Sequence, residues 1–252
     1  MIALAFLFAA GTLSAFSSGL LGIGGAVVLI PLLLYLGPTA GVAMDVHRLT
    51  SLSMVYVAAA AASGFLAHRR HGAVHGPLVR WLGLGVVAGS LAGGLLQAHL
   101  PRLVLLGVFA VLAGTAGLSM LFPLRGESEK VPPVARLRAL AGALPAGFLA
   151  ATAGVGGASV LLPFMIRILG VPTRTAIGTS LPLVLLAGVG GVLGRAGAGE
   201  IPWLWTAPVL AGAVPGAWLG TLTSRRVSTA FLRRAFAGAV LALAAGILAS
   251  LR

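Results

Sequence analysis

Apolar residues run along this chain in long blocks, and polar residues are confined to the short gaps between them. Three blocks in the first half, about 46–67, 77–97 and 101–123, have the length of a membrane-spanning helix. So do three in the second, about 173–194, 202–222 and 228–250. A bilayer core is crossed by about 20 such residues. Two further stretches, 2–36 and 137–169, are too long for one crossing. A single helix of 35 residues would measure roughly 52 Å against a core of about 30 Å. Glycine clusters interrupt both stretches near the middle, and glycine weakens a helix interior. Each stretch is therefore expected to form two helices, the second of about 11–13 residues, as a re-entrant hairpin or as a span plus a half-helix. The ten-residue alternation of a transmembrane β-barrel is not seen. The pattern predicts an all-α polytopic membrane protein.

The blocks also repeat. Gly22-Ile23-Gly24-Gly25-Ala26 and Pro31 recur as Gly154-Val155-Gly156-Gly157-Ala158 and Pro163, at an offset of 132 residues. Thr50-Ser51-Leu52 recurs as Thr179-Ser180-Leu181, and Gly89, Gly93 and Phe109 recur as Gly216, Gly220 and Phe236. Landmarks in the same order predict two homologous membrane repeats, 1–123 and 136–252, joined by a polar linker at 124–135.

The basic residues choose between parallel and inverted repeats. If each opening stretch crosses once, they divide eight against nine between the two sides, which is no bias. If each enters and returns, one side holds Arg69, Arg70, Arg80, Arg125, Lys130, Arg136, Arg138, Arg167, Arg174, Arg225, Arg226, Arg233 and Arg234. The other holds Arg48, Arg102, Arg195 and Arg252, a division of thirteen against four. An excess of Lys and Arg marks the cytoplasmic side. This reading predicts inverted halves, a cytoplasmic linker and both termini outside, in the cytoplasmic (inner) membrane of a cell.

Composition narrows the function. The chain is 59% hydrophobic and 8% charged, with only four acids, Asp45, Glu127, Glu129 and Glu200. A water-exposed surface of ordinary composition needs roughly a quarter charged residues, so lipid is the main solvent. The net charge of +13 reflects membrane topology, not nucleic-acid binding. Cysteine is absent, which removes disulfides and thiolate metal sites. No cofactor or metal site is expected. The five histidines sit in loops or at helix ends, three of them in the basic segment His68-Arg69-Arg70-His71 to His75. The N-terminal block lacks a basic leader and reads as a mature helix.

The candidate site follows from the broken stretches. A short helix starting at Ala26 or Ala158 presents unpaired amides and a positive dipole end. Gly22, Gly24 and Gly25 in one half, and Gly154, Gly156 and Gly157 in the other, allow a bound group to approach the backbone. Such ends suit an anion, and inverted symmetry would point both at one central site. The same glycines also serve close helix packing. Thr50, Ser51, Thr179 and Ser180 offer hydroxyls for substrate or for capping and back-bonding. Arg48 and Arg174 precede these pairs, and act either in an anion vestibule or as headgroup anchors. With no acid among the spans, a cation carrier is disfavoured.

The two glycine clusters with their following prolines, the run Ala176-Ile177-Gly178-Thr179-Ser180, and Pro215-Gly216-Ala217-Trp218-Leu219-Gly220 resemble the TauE/SafE family over essentially the whole chain. The resemblance implies export of sulfite, sulfoacetate or related sulfonates. Val46-His47-Arg48-Leu49-Thr50-Ser51 is more polar than its counterpart in the second half. Related thiosulfate importers depend on cysteine, which this chain lacks.

The leading expectation is a secondary carrier of a small anion, working by alternating access, with lipid and substrate as its partners. A passive channel or uniporter, and a carrier of another small organic acid, are the alternatives. No zinc-protease pair, paired aspartates or serine–histidine constellation points to an embedded enzyme. A non-transporting scaffold would respond to no anion. Both a monomer and a homo-oligomer fit the sequence.

Overall fold

The computed structural model describes residues 1–21, 25–68, 74–121, 131, 136–197, 199, 201–224, 237–238, 240–242 and 244–247. Its helices are α1 (Ile2–Leu21), α2 (Ala26–Leu36), α3 (Val46–His68), α4 (Gly76–Gln97), α5 (Arg102–Leu121), α6 (Arg136–Ala153), α7 (Ala158–Pro163), α8 (Thr173–Ala196) and α9 (Trp203–Ser224). A 3-10 turn, Pro38–Ala40, follows α2. Helical residues recur within 237–247, and no strand occurs among the described residues. Three helices, Gly76–Gln97, Arg102–Ser119 and Thr175–Ala196, are long and apolar enough to cross a membrane. Large apolar side chains such as Leu95, Leu103, Val111, Leu193 and Trp218 face outward. That surface suits lipid and would be a liability in water. The expected linker lies outside the described residues apart from Val131, as does most of the last expected span.

The expected second helix of each broken stretch forms, with different lengths. α2 has eleven residues, whereas α7 has six before it gives way to a π turn at Phe164–Ile168. Pro163 ends α7 and has no amide hydrogen to donate, so the ladder is interrupted there. It widens immediately afterwards, where Leu169 N–H donates to Phe164 O five residues back at 3.1 Å.

Glycines set the helix contacts. On α4, a Cβ at Gly89 or Gly93 would fall within 3.0 Å of the carbonyl oxygens of Leu144 and Phe148 on α6. On α9, a Cβ at Gly212, Gly216 or Gly220 would fall equally close to the carbonyl oxygens of Phe8, Thr12 and Phe16 on α1. Backbones this near need small residues at the crossing. Residue numbers rise together on both sides of each contact, so α4 runs parallel to α6 and α9 parallel to α1. The partners are also the repeat's own equivalents. Thr12 and Phe16 become Leu144 and Phe148 at the offset of the glycine clusters, and Gly216 and Gly220 answer Gly89 and Gly93.

The middle pair runs the other way. Gly188 of α8 lies on Ala58 of α3, and Gly191 lies on Met54, so α3 and α8 are antiparallel. Gly190 and Gly194 of α8 lie on Val87–Leu91 and Leu91–Leu95 of α4, so α4 and α8 are parallel. It follows that α6 and α8 share one direction. The chain between them, α7 and its π turn, must bring it back across the same layer. In the first half, α3 and α9 start at one end of the bundle, because Ala43, Met44 and Arg48 share a cleft with Pro202–Trp205. α1, parallel to α9, therefore runs with α3, and α2 returns between them.

Gly216→Ala should cost about 1–3 kcal/mol by forcing a methyl group onto the Thr12 carbonyl. Gly114→Ala faces open space and should be neutral or slightly stabilising. Thermal unfolding of the two purified variants in detergent checks this, and equal midpoints would refute the packing role of the α9 glycines.

Candidate functional site

Both glycine tips rest on α3. The described part of the first tip is Gly25, the N-cap of α2, in ordinary right-handed helical geometry. A Cβ there would lie within 3.0 Å of Tyr56 Oη on α3 and 2.6 Å from Ser14 O on α1. Gly22 and Gly24 lie outside the described residues. Ala26 is fully buried. In the second tip, Gly154, Gly156 and Gly157 have φ of 71°, 79° and 80°, a left-handed conformation that other residues adopt only with strain. A Cβ at Gly154 would sit 2.6 Å from Thr50 O, and one at Gly156 would collide with Val57 and crowd Val184. Ser53 Oγ donates to Gly154 O at 2.8 Å. The second tip is thus wedged between α3 and α8, and Gly157 caps α7 at Ala158.

The predicted hydroxyls divide. Thr50 is buried, donates to His47 O at 3.0 Å and accepts from Gln97 Nε2 at 3.0 Å. Ser180 back-bonds to Ile177 O at 2.8 Å. Thr179 accepts the backbone N–H of His75 at 3.2 Å, which ties the start of α4 to α8. Ser51 is buried and its Oγ has no hydrogen-bond partner. Capping and back-bonding therefore occupy Thr50 and Ser180, leaving Ser51 the uncommitted hydroxyl of these three.

Arg48 is exposed and lines a cleft of about 270 Å³ with Trp203, Leu204 and Trp205 at the start of α9. The side chain of Arg174 lies outside the described residues. Arg195 corrects the sequence reading, which counted it with the basic residues of an outer loop. It lies in the last turn of α8 with a fully buried side chain. Its Nη2 donates to Ala151 O, one turn before the second glycine tip, and its Nε donates to Gln97 Oε1 at 3.4 Å. Gln97 passes the connection to Thr50 Oγ1 and His47 O. A buried cation at a helix C-terminus benefits from the dipole there. The sequence signal was weak, because an arginine at the end of an apolar block reads as a topology marker. Tyr56, in the middle of a span and one of only two tyrosines, was the other missed residue.

His47 joins this network to the solvent. Its Nδ1 lies 2.7 Å from Asp45 Oδ2 and its Nε2 lies 3.0 Å from Leu100 O. Both partners are acceptors, so the imidazolium, with two N–H donors, satisfies both at once. Burial alone would raise the Asp45 carboxyl. The His47 hydrogen bond, the Val46 and His47 amides and the imidazolium charge outweigh it and hold the carboxyl below its ordinary value. At the opposite end, the Arg136 guanidinium stacks on Trp81 at 4.9 Å, joining the starts of α6 and α4. No cluster of three metal-ligating side chains occurs among the described residues.

A carboxyl held below its ordinary value stabilises the fold above the unfolded value of 3.8 and loses that effect as pH falls through the lower folded value. Asp45→Asn should lower the thermal midpoint at pH 6 by roughly 1–3 °C, as expected for a largely exposed pair. Unfolding curves of both proteins from pH 6 to 3 check it, and the gap should close below about pH 3.8. A gap unchanged down to pH 3 would contradict the assignment.

Comparison with known proteins places this geometry. Residues 7–247 match the family model described as "Sulfite exporter TauE/SafE". A probable membrane transporter protein of Xylella fastidiosa (strain 9a5c) is 33% identical over 93% of this chain and 90% of its own length. One from Haemophilus influenzae is 27% identical over 72% of this chain and 69% of its own. The probable membrane transporter protein YunE of Bacillus subtilis is 23% identical over 87% of this chain and 88% of its own. No solved structure matches. With its apolar helices, broken glycine stretches and a match along nearly its whole length, the chain belongs to the TauE/SafE family of membrane transporters.

Proposed function

We propose that the protein is a secondary carrier that exports small sulfur oxyanions, sulfite or an organic sulfonate, across the cell membrane by alternating access. The observation that carries this reading is the convergence of both glycine tips on α3, at Tyr56 for the first and at Thr50, Ser53 and Val57 for the second. Broken helices meeting inside a membrane bundle build substrate sites in secondary transporters. The description of the family's model supplies the sulfur chemistry.

The halves are inverted in this reading. Support comes from the antiparallel contact of α3 with α8, which are equivalents in the repeat, and from the exchanged pairs α1 with α9 and α6 with α4. The two units are 1–123 and 136–252, the linker at 124–135 is cytoplasmic, and both termini are outside. The substrate lies in this reading at the tips near the midplane, between Gly25–Ala26 and Gly154–Ala158, with Thr50 and Ser51 toward the end of the bundle where α3 starts and Thr179 and Ser180 toward the opposite end. Arg48 stands in the outer vestibule and Arg174 in the inner one. The two tips are unequal. α2 has three turns to build a dipole, whereas α7 has under two, so the α2 end exerts the stronger pull on an anion.

Purified protein should be stabilised by sulfite, as its monoanion, or by a monosulfonate such as methanesulfonate, but not by chloride. A ligand at a hundred times its Kd adds about 2.7 kcal/mol. Vesicles containing the protein should move the same anions at carrier rates. Gly25→Leu, which drives a side chain onto Tyr56 and Ser14, should abolish both effects. A folded wild-type protein that neither binds nor moves any of these anions would overturn the reading, and a unitary conductance would replace the carrier with a channel.

A further inference from the structure

The Tyr56 hydroxyl is fully buried and has no hydrogen-bond partner. A buried hydroxyl that nothing ever satisfies destabilises the fold. Tyr56 is not placed at random, because its oxygen lies against Gly25 at the start of α2. Other donors meet there. The amides of Val28 and Leu29 are the first to bond within the helix, donating to Gly25 O at 3.1 and 2.9 Å. The amides of Ala26 and Val27 precede them and belong to the orphan set of any helix start. The Ser14 carbonyl lies against the same face of Gly25, and the Ser14 Oγ is also buried and unpartnered. Its carbonyl already accepts from Ser17 Oγ at 2.8 Å. Unpartnered hydroxyls and helix-start amides therefore belong to residues that meet at Gly25, beside the Ser14 carbonyl that is already in use.

We infer that Tyr56 and Ser14, with the first amides of α2, form the binding site for a compact oxyanion, and that this site prefers a monoanion such as a sulfonate over a dianion such as sulfate. The inference rests on the carrier reading above and assigns its ligands. One anion oxygen between the Tyr56 hydroxyl and the α2 amides satisfies both, and a second reaches Ser14. The preference for one charge follows from the donors, which are all neutral. The helix end contributes about half a positive charge. That is enough to favour a monoanion but leaves a second negative charge to be desolvated without compensation.

The repeat shows that the set belongs to one half. The position equivalent to Ser14 is Ala146, which presents only a carbonyl toward Gly157, and that equivalent to Tyr56 is Leu185. Neither replacement has a hydroxyl, and although Ser159 in the first turn of α7 is also buried and unpartnered, α7 is too short to hold an anion by its N-terminus. Binding is thus one-sided within a duplicated frame. The first half holds the anion, and the second tip is pinned to α3 by Ser53 and Thr50.

The test uses the full chain with Tyr35→Phe, which leaves Tyr56 as its single tyrosine. Tyr35 is exposed, so this change should be silent. Titration with methanesulfonate should shift the near-ultraviolet band of Tyr56, whereas sulfate should bind at least tenfold more weakly. Tyr56→Phe should weaken methanesulfonate binding roughly tenfold or more, while the ligand-free thermal midpoint stays the same or rises. Ser14→Ala should weaken it less. Unchanged affinity in Tyr56→Phe, or a fall in ligand-free stability matching the loss of affinity, would overturn this assignment while leaving the carrier reading intact. Equal binding of sulfate would overturn the charge preference. A folded wild-type protein that binds no anion would overturn both.

Discussion

The architecture depends on how closely two helices approach when only glycine stands between them. The carbonyls of Phe8, Thr12 and Phe16 occupy the space that side chains at Gly212, Gly216 and Gly220 would need. In lipid, apolar side chains gain little by leaving one apolar medium for another, so backbone contact and dispersion must hold the helices. Repeating this contact between α4 and α6 fastens the first helix of each half to the fourth helix of the other. Neither half can then pack as an independent bundle, and the second glycine tip is enclosed by α3 of the first half, whereas the first rests on Ser14 and Tyr56 of its own.

That enclosure explains how non-helical backbone is tolerated at the second glycine tip. Irregular chain is stable at membrane depth only where protein satisfies it. Gly154 O receives the Ser53 hydroxyl, and the left-handed run through Gly156 and Gly157 lets the chain turn between α3 and α8. The polar groups nearby are arranged by cost. At one end of the bundle, Asp45, His47, Gln97, Thr50 and Arg195 form a connected network that begins in solvent and ends on the Ala151 carbonyl. At the first tip, by contrast, the hydroxyls of Tyr56 and Ser14 are left without partners.

Much of this was legible in the sequence. Block lengths gave the helices, because a membrane fixes their minimum length, and the duplicated glycine clusters gave the breaks. The distribution of arginines leads to the proposal that the chain returns after each break. Several features were not legible. The shortness of α7 depends on how Pro163 and the π turn resolve a missing amide, which a hydropathy pattern does not register. Arg195 looks like any basic residue at a block end until α4 and α6 close over it. Tyr56 is one aromatic among many apolar positions, and only its juxtaposition with Gly25, 31 residues earlier, gives its hydroxyl a meaning. The repeat singled out Thr50 and Ser180, and their hydroxyls are spent on the backbone and on Gln97.

The central claim is that two equivalent halves sit oppositely in the membrane, and the absence of cysteine makes it directly measurable. Single cysteines placed at Thr39, just after α2, and at Thr173, just after the π turn, mark equivalent points of the two halves. In intact cells, a membrane-impermeant maleimide should label the cysteine at position 39 and leave the one at 173 unlabelled until the membrane is opened. Labelling of both from the same side would mean that the halves are parallel, and would contradict the account.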